Sequence, residues 1–566
     1  MAIDSSSADA HRLQAFRLAF VAAIGGFLFG FDLGLIGAVN VYLKDQFRLT
    51  EAEFGFATAS AVLGCVFGPF LGGWLCDKAG RKRTMIAAAA LLATSAIFTA
   101  VPDLFSDGTD ASIMRSFNFF RFVGGLGVGL CSIASPMYIA EIAPPARRGA
   151  LGLMYQLAVV AGHAVAPLIA YVIVYVLRVG FGVAIGSIPD DPWLQGWRWM
   201  LFSETLCVAA FVIYVLRLPE SPRWLAEVGR FEEAERVLAQ VDGPAYARQE
   251  IGDIRAALAG EKGSWSELFA PGLRFALLVG VLLTFFNNWT GWSVIGGYIP
   301  RLFELAGYDR ESAIRNFVAV YGAMGLMTVA SLLLMDRLGR RPLWMIASLL
   351  MAGITFATGV LFQREVQGWP MLLIIALVTV PHGLALGGLP WLMMSELFPT
   401  RIRAKAVSIT TTVLWIFIFA GVYLFPSLTA LSQRHFLTAR RAVVEGVGLS
   451  LESGEPDAIR DAEGRFLKAG FRPGDQVTVT GSATAGNDDL FSVTQVEADR
   501  LALASVGRLR AEDGNPTLAV HVGSVGPAFW LFSVVCLLSL LFGATIMPET
   551  RGRTLEEIGA SWRRNA

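Results

Sequence analysis

One carboxylate interrupts an otherwise uncharged, glycine-rich stretch near the start of the chain. Asp32 is the only charged residue in GGFLFGFDLGLIGA, residues 25–38, which is apolar enough to cross a membrane. A carboxylate at mid-span costs about 2.5 to 3.5 kcal/mol on insertion scales, so it usually faces a cavity or a partner. The nearest plausible partner is Arg121, which precedes the glycine-rich sequence GGLGVG. We expect a buried ion pair that marks a functional path, with a pair that only fixes helix packing as the alternative.

The composition of the chain indicates a membrane protein. Of its 566 residues, 54% are hydrophobic and 16% are charged, whereas about a quarter are charged in soluble domains. The net charge of zero gives no reason to expect a nucleic acid as partner. Five scattered cysteines fit neither a disulfide framework nor a metal site, and no cofactor is predicted. The polar N-terminal tail lacks the features of a signal peptide.

Twelve apolar runs have the length, roughly 18 to 25 residues, that is needed to cross the hydrocarbon layer. We place these spans near residues 16–40, 54–76, 84–102, 117–140, 150–177, 197–217, 274–300, 313–335, 342–362, 369–395, 404–430 and 526–547. Short loops rich in Lys and Arg stay cytoplasmic, and DKAGRKR, PARR, DRLGRR and TRIRAK are such loops. Both termini are therefore predicted to be cytoplasmic. The spans hold every usable N-x-[ST] sequence, which favours the inner membrane of a bacterium.

An internal repeat divides the spans into two sets of six. DKAGRK begins at Asp77 and DRLGRR at Asp336, an offset of 336 − 77 = 259. EIAPPARR at Glu141 recurs as ELFPTRIR at Glu396, an offset of 396 − 141 = 255. PESPRW and PETRGR begin at residues 219 and 548, an offset of 548 − 219 = 329, so 329 − 255 = 74 extra residues lie late in the second half. The sequence therefore predicts an insert between spans 11 and 12, on the outer face.

The predicted insert differs in composition from the spans around it. GDQVTVTG, LFSVTQVEADRLALA and PTLAVHV alternate with period two, as strands do, after a predicted helical piece near 434–447. We expect a small β-barrel or open sheet that serves as an outer cap without a ligand, since loops tolerate insertions. The domains are a first six-helix bundle (1–217), a cytoplasmic helical linker (218–273), five helices of the second bundle (274–431), the β-rich insert (432–524), and the last span with its cytoplasmic tail (525–566).

Four motifs follow one another in a familiar order. They are the loop G-x-x-x-D-[KR]-x-G-[RK]-[RK], the span RFVGGLGVGLCSIASPMYIAEIAPPARRG, PESPRWL and PETRGRTLEEI. Together they resemble the sugar porter family of the major facilitator superfamily and cover nearly the whole chain except the insert. The resemblance implies an all-α membrane protein of two six-helix bundles that rock between outward-open and inward-open states.

Charged residues at the predicted cytoplasmic helix ends are expected to form a gate. They can pair across the two halves when the inner gate is shut and must part when it opens. The candidates are Asp77, Arg81, Glu141, Arg148, Glu204, Asp336, Arg340, Glu396 and Arg403. Topology alone explains some of the basic residues, but it does not explain the acids repeated beside them.

The resemblance also implies which residues handle the proton and the substrate. Proton-coupled sugar porters carry an acid and an arginine at the positions of Asp32 and Arg121, so protonation from outside would release the pair and permit rocking. The implied substrate-binding residues, on spans 5, 7, 10 and 11, are Gln156, His163, Asn287, Asn288, Ser293, Trp391 and Trp415. Several depart from the family pattern: His163 and Asn287 stand where proton-linked xylose porters have glutamine. Shorter amides leave a roomier or drier cavity.

Three functions are compatible with this pattern. The first is proton-coupled symport of a monosaccharide or similar polyol by a monomer, with the proton as coupling ion. The second is a facilitator or exporter of another small solute, and the third is a nutrient sensor on a transporter scaffold. An enzyme is not expected, since no nucleophile and base pair or phosphate loop is present. His163 is either a substrate contact or a histidine bonded to a backbone carbonyl, and His382 is interpreted as a core residue near a proline break.

Overall fold

The computed structural model is a bundle of long helices with a small β-rich unit at one end. It describes residues 5–550 except 145–146, 185–187, 260–263, 272, 399, 436–441, 485 and 506. Among these residues, eleven helices are long and apolar enough to cross a membrane, and a bent pair, Leu273–Trp289 with Trp292–Leu305, makes a twelfth span. The twelve predicted spans are therefore eleven helices and one broken span with a bend of 48°.

The first half of the bundle consists of six long helices. They are α1 (Ser5–Gln46), α2 (Glu51–Ala79), α3 (Arg81–Ala100), α4 (Asp110–Ile142), α5 (Arg148–Phe181) and α6 (Gly196–Leu216). Two further helices, α7 (Pro222–Glu227) and α8 (Phe231–Ala259), follow the first half in the sequence. They form a small hydrophobic core of their own.

The second half combines long helices with several short ones. They are α9 (Leu273–Trp289), α10 (Trp292–Ile295), α11 (Ile299–Leu305), α12 (Arg310–Leu338), α13 (Arg340–Gln363), α14 (Trp369–Leu377), α15 (Thr379–Pro381), a π-helix (His382–Leu386), α16 (Leu389–Glu396) and α17 (Thr400–His435). The helical turn α18 (Phe466–Ala469) lies in the insert, and α19 (Gly526–Thr545) returns to the bundle beside α13.

The glycines of GGLGVG bring helices into direct backbone contact. A Cβ at Gly125 of α4 would lie 1.8 Å from the Ala61 carbonyl oxygen of α2, which leaves room only for hydrogen. Between α1 and α5, a Cβ at Gly30 would likewise lie 1.9 Å from the Val159 carbonyl oxygen. Small residues at such crossings let helices pack tightly where lipid offers no hydrophobic drive. These glycines therefore position α1 and α4, the helices that carry Asp32 and Arg121.

The two halves repeat one device where a helix begins. Gly80 precedes α3 with φ 97° and Gly339 precedes α13 with φ 90°, a conformation that favours glycine. The Glu220 carboxylate accepts hydrogen bonds from the N–H groups of the first two residues of α3, at 2.9 and 3.0 Å. Glu549 does the same for α13, at 3.2 and 3.0 Å. A carboxylate at a helix N-terminus is stabilising, so the repeated PE motifs act as caps.

The bundle has two distinguishable ends. The insert side is defined here as the end where α17 stops and α19 starts, and the terminus side as the end where α1 starts. On the insert side one hydrophobic core contains residues of both halves, such as Leu35 and Phe54 of the first and Tyr298 and Phe317 of the second. The two halves are thus packed together at the insert side.

The β-rich insert predicted from period-two alternation is present. Its strands are β1 (Val443–Glu445), β2 (Leu449–Glu452), β3 (Ala458–Asp461), β4 (Gln476–Thr480), β5 (Leu490–Val496), β6 (Arg500–Leu503), β7 (Glu512–Asp513) and β8 (Ala519–Val522). They pair antiparallel in the order β1-β8-β4-β5-β6-β3-β2-β7. Buried positions such as Val477 and Val520 form the core of the insert.

The helical piece expected near 434–447 is confirmed at residues 434–435 and is wrong at 443–445. The helix α17 continues to His435, and Val443–Glu445 is a strand. The two β-branched valines of β1 pair with β8, where Val444 lies opposite Val520. A partner strand and a buried side chain outweigh the helical preference of the neighbouring alanines and arginines.

Candidate functional site

The structure brings Asp32 and Arg121 together inside the first half. Both side chains are 1% exposed, and Arg121 Nη1 donates a hydrogen bond to Asp32 Oδ1. Asp32 Oδ2 and Arg121 Nε and Nη2 have no hydrogen-bond partner among the described residues. The pair thus has unused hydrogen-bonding capacity in a place where unpaired polar groups are costly.

A second carboxylate, Glu204, belongs to the same site. Its side chain on α6 is 1% exposed and interacts with both Asp32 and Arg121. Glu204 lies eight residues after Gly196, about 12 Å along the helix at 1.5 Å per residue, so it is far from either helix end. The interpretation of Glu204 as a charge of the cytoplasmic gate is therefore wrong.

The charges of this trio do not balance when every group is ionised. Two carboxylates and one guanidinium, Asp32, Glu204 and Arg121, carry a net charge of −1 in a buried position. An uncompensated buried charge is expensive, whereas one proton bound by the two carboxylates makes the site neutral. The trio is therefore chemically suited to hold and release a single proton.

His163 lies at the boundary between the two halves. Its Nδ1 donates to the Val159 carbonyl oxygen at 3.0 Å, which leaves Nε2 as an acceptor in the neutral ring. The imidazole stacks on Tyr321 of α12 with ring centroids 5.6 Å apart and an interplanar angle of 7°. Both alternatives for His163 thus remain compatible, since one nitrogen is bonded to backbone and the other is available.

His163 belongs to a group of rings that we call the aromatic cluster. Phe29 of α1 lies 5.3 Å from Trp415 and 6.3 Å from His163. On the other side, Trp292 lies 5.4 Å from Tyr321 and 5.7 Å from His382. The members of the aromatic cluster are Phe29, His163, Trp292, Tyr321, His382 and Trp415.

Sequence reasoning missed three of these rings. Phe29, Trp292 and Tyr321 are aromatic residues among many in apolar spans, and aromatic content alone does not single them out. Two signals were nevertheless available. Phe29 is three residues before Asp32 and so on the same helix face, and Trp292 follows Gly291, whose φ of 123° breaks span 7.

The span 7 amides are partly used to hold the backbone. Asn287 Nδ2 donates to the carbonyl oxygens of Leu386 and Gly387 at 2.5 and 3.3 Å. Both acceptors lie at the end of the π-helix, a local widening that often occurs at functional sites. Asn288 Nδ2 donates to Thr284 O at 2.8 Å, while its Oδ1 has no hydrogen-bond partner among the described residues.

The remaining predicted substrate residues lie near the aromatic cluster. Gln156 is half-buried on α5, two helical turns before His163 and therefore on the same face. Ser293 is half-buried and adjoins Trp292. Trp415 is fully buried, with Nε1 unpartnered in the described part of the chain, and half-buried Trp391 packs on the same hydrophobic core.

The predicted gate charges pair within each half. Arg81 Nη2 lies 2.8 Å from Glu141 Oε1, and Glu141 Oε2 accepts from Ser221 Oγ at 2.5 Å. In the second half, Arg340 Nη2 lies 3.2 Å from Glu396 Oε1, and Glu396 Oε2 accepts from Thr550 Oγ1 at 2.6 Å. These pairs repeat the same arrangement on the terminus side of each half.

Other predicted gate residues have different positions. Asp77 has an exposed side chain, and its backbone carbonyl accepts from Trp224 Nε1 at 3.0 Å. Arg403 Nε donates to the Phe398 carbonyl oxygen at 3.3 Å. The side chains of Arg148 and Asp336 lie outside the described residues.

Ion pairs join the two halves at the insert side. Arg310 of α12 pairs with Asp45 of α1 and, at 2.8 Å, with Glu304 of α11. Arg178 of α5 pairs with Glu311 of α12 at 2.7 Å. We call these five residues the insert-side charge network. No sequence motif indicated it, because its members come from four separate helices.

Comparison with known proteins places this geometry in a family. A family model described as Sugar (and other) transporter matches residues 18–444, which include the trio and the aromatic cluster. The chain belongs to this family. The arabinose-proton symporter of Bacillus subtilis is 35% identical over 70% of this chain and 81% of that protein. The D-xylose-proton symporter of Escherichia coli is 31% identical over 73% of this chain and 85% of that protein.

Solved structures of transporters share the fold. The inward-open conformation of the xylose transporter from E. coli matches with a TM-score of 0.68 and 26% identity, over 97% of this chain and all of that one. This sugar transporter family member is therefore an integral membrane protein with the major facilitator fold and an added β-rich insert.

Proposed function

We propose that this protein is a secondary active transporter that moves a monosaccharide or similar polyol together with a proton. The observation that carries the proposal is the buried trio of Asp32, Arg121 and Glu204, which is one proton short of neutrality. Named relatives that span most of the chain are proton symporters of arabinose and xylose, which supports a sugar as substrate and the proton as coupling ion.

Transport follows alternating access between the two halves. The insert side is closed in this conformation, since the insert-side charge network and a shared hydrophobic core join the halves there. The predicted gate charges of the terminus side pair within their own halves. This arrangement is that of an inward-facing transporter, in agreement with the likeness to an inward-open xylose transporter.

The sugar is bound in this proposal between the trio and the second half. The contacts come from the half-buried Gln156, from the free acceptor of His163 and from the ring faces of the aromatic cluster. Sugar rings suit such a site because hydroxyls need directed partners and the ring needs an apolar face. The residues assigned to this site are Gln156, His163, Asn287, Asn288, Ser293, Trp391 and Trp415.

Protonation of the trio links the proton to the conformational change. When Asp32 and Glu204 share a proton, the site is neutral and tolerates rearrangement. When the proton leaves, the two carboxylates carry two negative charges, and Arg121 compensates only one of them. We assign the site to a monomer in the inner membrane of a bacterium, with both termini cytoplasmic and the insert outside. In this orientation a proton gradient directed inward drives accumulation.

The test is uptake into proteoliposomes with and without an imposed pH gradient, using a panel of labelled pentoses and hexoses. The wild type should accumulate at least one sugar above equilibrium only when the gradient is present. Asp32→Asn should exchange that sugar at equal pH but should not accumulate it. Accumulation by Asp32→Asn equal to wild type would reject the coupling role, and equilibration without accumulation by the wild type would indicate a facilitator.

A further inference from the structure

One residue of the insert lies beside both halves at the insert side. Gln476, the first residue of β4, is 9% exposed and lines a small cavity of about 20 Å³ at the insert side. Lys44, Glu51 and Phe54 of the first half line the same cavity, as does Arg301 of the second. The insert is therefore close to both halves at the place where they must separate.

The insert is fastened to the second half through its own ends and through an ion pair. Ser432 Oγ donates to the Ser524 carbonyl oxygen at 2.9 Å. A Cβ at Gly523 would lie 2.0 Å from the Gln433 carbonyl oxygen, so the two connections run side by side. Arg472 Nη1 lies 3.7 Å from Glu365 Oε2, just beyond α13.

Opening of the insert side would separate surfaces that now share this cavity. Lys44 and Glu51, paired at 2.6 Å, would move with the first half, while Gln476 and Arg301 would stay with the second. The lining that Gln476 shares with the first half is lost in that movement, whereas the ion pair of Arg472 with Glu365 is kept. A contact present in one state only shifts the equilibrium toward that state.

We propose that the insert is a clamp that stabilises the conformation closed at the insert side. Its point of action is Gln476, which extends the closed contact beyond the insert-side charge network. The clamp gives a role in transport to the insert, which the sequence predicted as an outer cap without a ligand. It does not depend on which solute is carried, so it can fail while the proposed function stands.

The ion pairs around position 476 give a test by substitution. Lys44 pairs with Glu51 at 2.6 Å and Arg301 with Glu304 at 3.0 Å, so the charges around the cavity are already balanced. Gln476→Lys and Gln476→Glu each place an unpaired charge at a position that is 9% exposed, so both should open the insert side. Because the neighbouring pairs are partly exposed, each effect should be about twofold to fivefold in the opening equilibrium.

Hydrogen–deuterium exchange of the full chain in nanodiscs measures this equilibrium. Gln476→Lys should speed exchange in residues 39–58 and 299–305 and slow it, or leave it unchanged, at residues 77–85 of the terminus side. Gln476→Glu should have the same effects as Gln476→Lys. The matched controls are Gln495→Lys and Gln495→Glu, at an exposed position of β5, which should change neither end.

A deletion gives the second test. Removing residues 443–522 leaves the adjacent connections of α17 and α19 joined by ten native residues, 436–442 and 523–525. The deleted protein should exchange faster at the insert side only, as should Arg310→Gln, which breaks two pairs of the charge network. Faster exchange at both ends would mean general destabilisation and would overturn the clamp, as would unchanged exchange at the insert side in both Gln476→Lys and Gln476→Glu.

Discussion

The trio of Asp32, Glu204 and Arg121 makes a sharp prediction about stability. Neutralising either acid alone leaves one carboxylate to pair with Arg121, so the buried charges still balance. Neutralising both leaves a guanidinium that is 1% exposed without any counter-charge. Removing the partner of a buried charge costs about 3 to 5 kcal/mol. Asp32→Asn and Glu204→Gln should therefore each cost about 0.5 kcal/mol, the lower end for the loss of one hydrogen bond, and the double variant about 3 to 5.

The assay is a double-mutant cycle on the unfolding free energy, measured by titration with SDS in mixed micelles. The coupling energy should be about 2 to 4 kcal/mol, well above that of sites which do not interact. A matched cycle combines Asp45→Asn with Glu304→Gln around Arg310, where Asp45 is 47% exposed. That partly exposed control should give less than about 1 kcal/mol. Additive losses for Asp32 and Glu204 would show that the two acids do not share Arg121 and would refute the trio.

Three further predictions concern binding and the insert. Gln156→Ala should weaken sugar binding by about 0.5 to 1.5 kcal/mol, which corresponds to one hydrogen bond. Asn287→Ala should also lower stability, because it leaves two carbonyl groups of span 10 without their donor. Calorimetry measures the loss of binding, and unfolding curves measure the loss of stability. His163→Phe should keep the stack on Tyr321 but remove the free acceptor, so KM should rise while stability is kept. Burial raises the pKa of Glu512, but hydrogen bonds from Ser482 and Asn515 outweigh that effect and lower the pKa to about 2. The stability of the wild-type insert should therefore decrease as the pH is lowered from about 4.5 toward 2. Glu512→Gln should lose that dependence, as followed by acid protease cleavage.

Much of the fold could be predicted because it repeats. The offsets between the halves located the insert, and the recurring PE motifs correspond to Glu220 and Glu549, which cap α3 and α13. Period-two alternation predicted strands where β4, β5 and β8 lie. Such features are local in sequence, so propensity and spacing are enough to find them.

Features that depend on contacts between distant helices were harder to predict. Glu204 was assigned to a gate because nothing in the sequence places α6 beside Asp32. The insert-side pair of Asp45 and Arg310 joins residues 265 positions apart, and only the packing of α1 on the second half brings them together. The span 7 asparagines were identified as substrate ligands, yet Asn287 donates to the backbone of span 10.

One helix connects the trio to both contacts between the halves. The trio lies entirely within the first half, so a proton bound there changes no ion pair between the halves directly. Asp32 shares α1 with Phe29, which touches Trp415 and His163, and with Asp45, which pairs with Arg310. Thirteen residues separate the two acids, about 20 Å along one continuous helix. A shift of α1 that follows protonation would thus reach the aromatic cluster and the insert-side charge network together. The bound proton and the insert-side charge network therefore both act on the position of α1.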